Sequence, residues 1–132
     1  MELQKFMKKF ALKIGGQYDE YNENKSIIII PLVDGRYQAV IGNILFHEKY
    51  QKSTIELSSK VADFHPGINL KNLLEENNKC CHAKFSIEDN IIKVEASAFV
   101  DNVSEELIEE MILEVANTAD EWEFRITGID VH

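Results

Sequence analysis

The sequence contains few of the residues that staple or anchor a small protein. Its only cysteines are the adjacent pair Cys80 and Cys81, so it cannot build a disulfide framework, and a reducing compartment is expected. No apolar run approaches the roughly 20 residues that a membrane helix needs. The first sixteen residues mix lysines with apolar residues, whereas a signal peptide separates a basic start from an apolar block. These absences predict a soluble cytoplasmic protein with no membrane partner.

Sequence motifs for catalysis and cofactor binding are also missing. Neither the glycine-rich phosphate loop nor the dinucleotide-binding glycine pattern occurs. The best metal-ligand candidates are Cys80, Cys81 and His82, but three consecutive residues cannot easily turn three side chains toward one ion. The clustered glutamates near the C-terminus fit a solvated helix face better than a pair of catalytic carboxylates, which needs a cleft. We therefore predict no catalytic residue, no cofactor and no metal ion.

The size and composition are those of one ordinary domain. The chain has 132 residues, of which 45% are apolar and 28% are charged, so it is expected to fold as a single domain over residues 1–132. A chain of this mass buries about two-thirds of its surface on folding. That is enough for one core without metal or disulfide support.

The negative charge is concentrated at one end of the chain. Residues 1–100 contain equal numbers of acidic and basic residues, whereas residues 101–132 contain ten acidic residues and one basic residue, Arg125. This last stretch therefore carries the whole net charge of −9. An acidic protein repels nucleic-acid phosphates, which argues against a nucleic-acid partner. The acidic end serves either solubility or the steering of a basic partner.

Both ends of the chain have helical periodicity. Residues 3–14 place apolar side chains on one face and lysines on the other, and Gly15-Gly16 ends the pattern. Ser104 is the expected N-cap of a long final helix, which ends at Gly128 and leaves residues 128–132 as a loose tail. A short helix capped by Asn69 is expected in the middle of the chain, with three leucines turned inward: Leu70, Leu73 and Leu74.

Alternating apolar residues predict five strands, which are Ser26–Val33, Arg36–Phe46, Thr54–Phe64, His82–Glu88 and Ile91–Phe99. Asp34-Gly35 and Asp89-Asn90 are expected to form the tight turns of two hairpins. Pro31 places the first of these strands at a sheet edge or ends it there. Residues 17–25 are polar and are interpreted as a linker. The predicted order is α-β-β-β-α-β-β-α, an α+β fold with an antiparallel sheet and helices on one face.

Four residues of the last helix are candidates for contact with a partner protein. Trp122 is most simply a core residue, but it could anchor a partner if it projects beyond the last turn. Glu109, Glu110 and Glu114 belong to the acidic face that would attract a basic partner. All three glutamates are expected to face water.

The central segments resemble a known family. Residues 69–78 read NLKNLLEENN and residues 83–96 read AKFSIEDNIIKVEA. This helix-then-hairpin pattern, with the length and the acidity, is similar to the type III secretion chaperone fold and, within it, to the YbjN-like sensory-transduction-regulator family. The resemblance implies no enzyme activity. It also implies a small acidic homodimer, which agrees with more aliphatic strand surface than the helices can cover.

These observations predict a non-catalytic protein-binding module, chaperone-like or regulatory, that holds a segment of a partner on its sheet or on a strand edge. The alternative is a small-ligand-binding or enzymatic domain with a pocket on the concave face of the sheet. A closed pocket of a few hundred Å³ with convergent polar groups would favour the alternative. A long apolar groove or an exposed edge would favour the binding module.

Overall fold

The computed structural model describes residues 2–127. They form a six-stranded sheet and three helices, and the order of the elements is α1 (Leu3–Ile14), β1 (Gln17–Glu20), β2 (Lys25–Pro31), β3 (Tyr37–His47), β4 (Lys52–Asp63), α2 (Leu70–Glu76), β5 (Lys84–Glu88), β6 (Ile91–Phe99) and α3 (Glu105–Thr127). The strands are antiparallel throughout, in the order β1-β2-β3-β4-β6-β5. The predicted α+β class is therefore confirmed. The predicted tail and the Gly128 helix end lie outside the described residues.

The sheet has one strand more than the sequence predicted. Residues 17–20, which were interpreted as part of a linker, form β1 and pair with β2. Gln17 lies opposite Ile29 at one end of this pairing, and Glu20 lies opposite Ser26 at the other. Their polar sequence gave no apolar alternation to detect. The pairing of β1 with β2 reaches only Ile29, so no strand of the described chain lies beside Pro31 on the β1 side, whereas on the other side Pro31 pairs with Tyr37 of β3. Pro31 thus ends its strand, as one of the two predicted outcomes required.

Local turn and cap signals were confirmed. Asp34 and Gly35 have φ values of 60° and 73°, and the Asp89-Asn90 turn also has two positive φ values, as the tight hairpin turn requires. The side-chain oxygen of Asn69 accepts a hydrogen bond from the Asn72 N–H at 3.1 Å. The Ser104 hydroxyl accepts one from the Leu107 N–H at the same distance. Both residues are N-caps.

The core lies between one face of the sheet and the helices. Alternate residues of the central strands point into it, and the buried set includes Ile28, Val40, Ile55, Leu57 and Val94. α1 packs closely on this face, because a Cβ at Gly42 would lie only 2.7 Å from the sulfur of Met7. Phe6 and Phe10 of α1 are buried and stacked, so α1 is a packing element.

No described helix covers the opposite face of the sheet. On that face β2 and β3 present half-buried aliphatic residues, whereas β4 and β6 present charged ones. The aliphatic half consists of Ile27, Ile29, Ala39 and Ile41, which we call the outer aliphatic patch. The helices of the described chain are too short or too polar to span a membrane.

Candidate functional site

An apolar groove lies between helix α2 and the free edge of strand β5, and we call it the α2–β5 groove. It holds a pocket of about 140 Å³ with an almost wholly apolar lining, formed by Leu70, Leu73, Leu74, Phe85, Ser86, Ile87 and Ile92. Three of these side chains are open to solvent: Leu70 is 39% exposed, Leu74 65% and Ile87 47%. This groove therefore combines an apolar surface with a strand edge.

The exposed leucines of α2 differ from the sequence prediction. All three leucines of this helix were expected to point inward, but only Leu73 is buried. α2 has seven residues, and it lies beside the edge strand rather than over the middle of the sheet. Leu70 and Leu74 therefore line the rim of the groove and form, together with Ile87, one contiguous exposed apolar surface.

The floor of the groove is continuous with the core. Phe85 of β5 is buried and meets the ring of Trp122 edge-on, with 5.7 Å between ring centroids. Trp122 is itself only 7% exposed, and the Arg125 guanidinium lies over its ring at 4.8 Å. The structure thus places Trp122 in the core, where it supports Phe85. A direct contact between Trp122 and a partner, which the sequence left open, does not fit this position.

Two side chains cover the first half of the β5 edge. The Asn77 side-chain oxygen accepts a hydrogen bond from the Phe85 N–H at 2.6 Å. The Glu114 carboxylate accepts three hydrogen bonds, from the N–H groups of Cys81, His82 and Ala83, at 3.0, 2.6 and 2.5 Å. Glu114 is therefore half-buried and bound to backbone N–H groups, whereas the sequence predicted that it faces water. It holds the loop that leads into β5.

The charge of Glu114 is stabilised by this arrangement. Burial raises the pKa of its carboxyl group, but the backbone donors of Ala83, Cys81 and His82 outweigh that effect, so the pKa lies below its usual value. The carboxylate is thus ionised at neutral pH while it accepts the three N–H groups. Only the tertiary structure brings α3 to this loop, about thirty residues away along the chain.

The other two candidate glutamates lie on the side of α3 that faces α1. Glu109 pairs with Lys13 at 3.5 Å and Glu110 approaches the His82 ring at 3.4 Å. An open cleft of about 500 Å³ separates the two helices, with lysines on the α1 wall and glutamates on the α3 wall. A second pair, Lys9–Glu105 at 2.9 Å, also crosses it. The basic first helix and the acidic last helix therefore partly neutralise each other.

The two cysteines sit at the loop before β5. Cys80 is half-buried and Cys81 is exposed. Burial raises the pKa of the Cys80 thiol, an effect that the nearby Glu114 reinforces. A raised pKa lowers the thiolate fraction and so the reactivity of this thiol. Within residues 2–127, no group of three potential ligands is placed to hold a metal ion.

Comparisons with known proteins give a structural likeness and no sequence match. No family model matches the chain, and no curated protein matches it. The YbjN-like resemblance therefore stays a prediction. Among solved structures, the chain is similar to one titled "Crystal Structure of the ExsC-ExsE Complex", with 13% identity over 92% of this chain and 90% of that chain and a TM-score of 0.49.

Proposed function

We propose that this protein is a non-catalytic protein-binding module that holds an extended segment of a partner along the β5 edge. An aliphatic side chain of the segment would fill the pocket between α2 and β5. The α2–β5 groove carries this proposal, because it is an exposed apolar surface beside a strand edge. Extended peptides bind such edges through main-chain hydrogen bonds, and pockets for alternate side chains provide specificity.

The shape of the groove favours a peptide segment over a small ligand. Ligand pockets usually measure about 300–1,000 Å³ and contain a few convergent polar groups. The pocket here is about 140 Å³ and is lined almost entirely by carbon. The face of the sheet that carries the core is covered by α1 and α3. These features support the binding module rather than the alternative of a ligand-binding or enzymatic domain.

The proposal can be tested with peptides selected from a random 12-residue display library against the intact protein. We expect the selected peptides to carry a bulky aliphatic residue and to lose at least tenfold in affinity when Leu74→Glu places a charge in the groove. Leu12→Glu is the matched control, since Leu12 is 79% exposed on α1, away from the groove. Binding that is unchanged by Leu74→Glu, or no selected peptide at all, would refute the proposed function.

We also propose that the protein is a homodimer, with the outer aliphatic patch as the contact between copies. Ile27, Ile29 and Ile41 lie side by side on a face that no described helix covers, and contiguous apolar surfaces of this kind mark interaction sites. Light scattering should then give a mass of about twice 15.2 kDa. Ile29→Lys should shift the mass to that of a monomer, whereas Leu12→Lys should not. A monomer at every accessible concentration would contradict this proposal.

Glu109 and Glu110 remain proposed steering residues for a basic partner. Their carboxylates line the open cleft beside α1, where they raise the association rate of positively charged segments. Glu109→Gln combined with Glu110→Gln should slow the binding of a lysine-rich partner peptide and flatten the salt dependence of its on-rate. An unchanged on-rate would show that these charges serve solubility alone. Glu114 and Trp122 have structural roles instead: Glu114 binds the loop before β5, and Trp122 packs on Phe85.

A further inference from the structure

The backbone groups of β5 alternate between its two sides. β5 pairs with β6 through a hairpin that ends at Glu88–Ile91. Because the Phe85 N–H points to Asn77 and not to β6, the Ile87 N–H, two residues later, points to the same free side. No described residue hydrogen-bonds to that Ile87 N–H. On the free edge, the N–H group of Phe85 is therefore already hydrogen-bonded, whereas the N–H group of Ile87 has no acceptor among the described residues.

The N–H groups in the first half of this edge are covered by side chains that imitate a neighbouring strand. The Asn77 side-chain oxygen accepts a hydrogen bond from the Phe85 N–H. The Glu114 carboxylate accepts one from the Ala83 N–H, which lies two residues before Phe85 and on the same side of the chain. A strand that arrives at this edge would have to displace both oxygens before it could pair beyond Ile87. Displacing the Glu114 carboxylate would also release two further N–H groups, so this cap is costly to remove.

The two ends of β5 carry opposite charges without a counter-ion. The Lys84 ammonium donates to the backbone carbonyls of Asn77 and Cys80 at 3.1 and 3.2 Å, and it forms no ion pair with a described residue. Asp89, in the turn after β5, also forms no ion pair among residues 2–127. Glu88 differs, since Lys93 already neutralises it at 2.8 Å. The open part of the edge thus lies between a positive end and a negative end.

We infer that Asn77 and Glu114 set the register of the bound segment, so that it pairs with β5 at Ile87 and stops short of Phe85. The segment is a short extended stretch of a partner protein. It carries an aliphatic residue for the pocket and a basic residue toward Asp89. This inference rests on the proposed function and adds which residues limit the binding and which charges the partner bears.

The register is tested with two versions of a selected peptide, one that ends at the Ile87 pairing and one that continues past Phe85. The wild-type protein should bind both equally. Asn77→Ala opens the Phe85 N–H, so the longer peptide should bind this variant about fivefold more tightly than the shorter one, as one net hydrogen bond provides. Asn77→Asp keeps the accepting oxygen and should behave like the wild type. Asp89→Asn should weaken only peptides with a basic residue at that end.

Amide hydrogen exchange of the wild-type protein gives a second measurement that does not depend on the variants. The Phe85 amide should be protected with and without peptide, and the Ile87 amide should become protected only with peptide. A wild-type preference for the longer peptide, or an Ile87 amide that stays unprotected in the complex, would overturn the inference. Ile87 protection without peptide in a dimeric sample would also overturn it, because a second copy would then occupy the edge.

These outcomes are separate from a failure of the proposed function. If the proposed function is wrong, Leu74→Glu will not weaken peptide binding. If only the register inference fails, Leu74→Glu will still weaken peptide binding, but the Asn77→Ala variant will bind the longer and the shorter peptide with equal affinity.

Discussion

The two edges of the sheet, β1 and β5, are protected in different ways. β1 has four residues and is acidic: Asp19 accepts the N–H of Glu20 at 2.9 Å, and Glu20 accepts the Tyr18 hydroxyl at 2.9 Å. β5 has an apolar groove beside it and is covered only over its first half, by side chains from elsewhere in the chain. Exposed edges pair readily with other chains unless charge, shortness or a cover prevents it.

The two edges differ in where their protection comes from. At β1 the charges belong to the strand itself, so an incoming strand meets carboxylates over its second half, at Asp19 and Glu20. At β5 the cover stops at Phe85 and an apolar surface begins at Ile87. The β1 edge is thus protected by its own charge and short length, whereas the β5 edge is uncovered over a short, defined stretch. Four substitutions, at Phe85, Tyr18, Glu114 and the two acidic residues of β1, test this difference.

The first prediction compares the aromatic residue on the inner face of each edge strand. Phe85→Ala removes a buried ring that packs on Trp122, and it should cost about 3–5 kcal/mol of unfolding free energy. Tyr18→Ala removes a half-buried ring from β1 and should cost about 1–2 kcal/mol. Urea unfolding followed by circular dichroism measures both. Equal losses would mean that the β5 edge is no better anchored to the core than the β1 edge.

The second prediction concerns the cover of the β5 edge. Glu114→Gln replaces a carboxylate that accepts three backbone N–H groups, so it should cost about 2 kcal/mol at neutral pH. The pKa of Glu114 is lowered in the folded state, so its contribution is present above the unfolded pKa of about 4.3 and is lost as pH falls through the folded value. The variant should therefore lose less stability than the wild type between neutral and acid pH.

Glu106→Gln is the control for that measurement, because Glu106 lies exposed in the first turn of the same helix. It should change stability by less than about 0.5 kcal/mol, with the same acid dependence as the wild type. If the two variants had equal stability curves, Glu114 would not be the residue that holds the β5 loop.

The third prediction removes the charges of the β1 edge. Asp19→Asn with Glu20→Gln keeps the hydrogen-bonding oxygens but neutralises the strand, so the unfolding free energy should change by less than about 0.5 kcal/mol. Self-association should rise, because charge is what keeps this edge from pairing. Light scattering at increasing concentration measures it. Unchanged association would show that the shortness of β1, rather than its charge, protects this edge.

Much of the fold was predictable because its signals are local. Alternation placed Ile55 and Leu57 on the buried face, and both are fully buried. Turns and caps at Asp34-Gly35, Asn69 and Ser104 depend on nearby backbone geometry, and all three were found. β1 was missed because its four polar residues form a strand only when β2 lies beside them.

The candidate site was less predictable than the fold. The leucine spacing of α2 correctly indicated a helix, but it could not show that the helix lies at the margin of the sheet and leaves Leu70 and Leu74 exposed. The pattern of α3 marked Glu114 as a surface residue, since a helical wheel contains no information about a loop that returns from another part of the chain. The same limit applied to Trp122, whose spacing suited either a core residue or a partner anchor.

Residues within a few positions of one another were enough to predict most of the elements, the buried faces of the central strands, the turns and the acidic character of the last helix. The tertiary structure decided what these elements do together. It paired Lys9 with Glu105 and brought Glu114 to Ala83 and Asn77 to Phe85. Contacts between residues far apart in the chain depend on how the layers pack, and it is this packing that left the β5 edge open at Ile87.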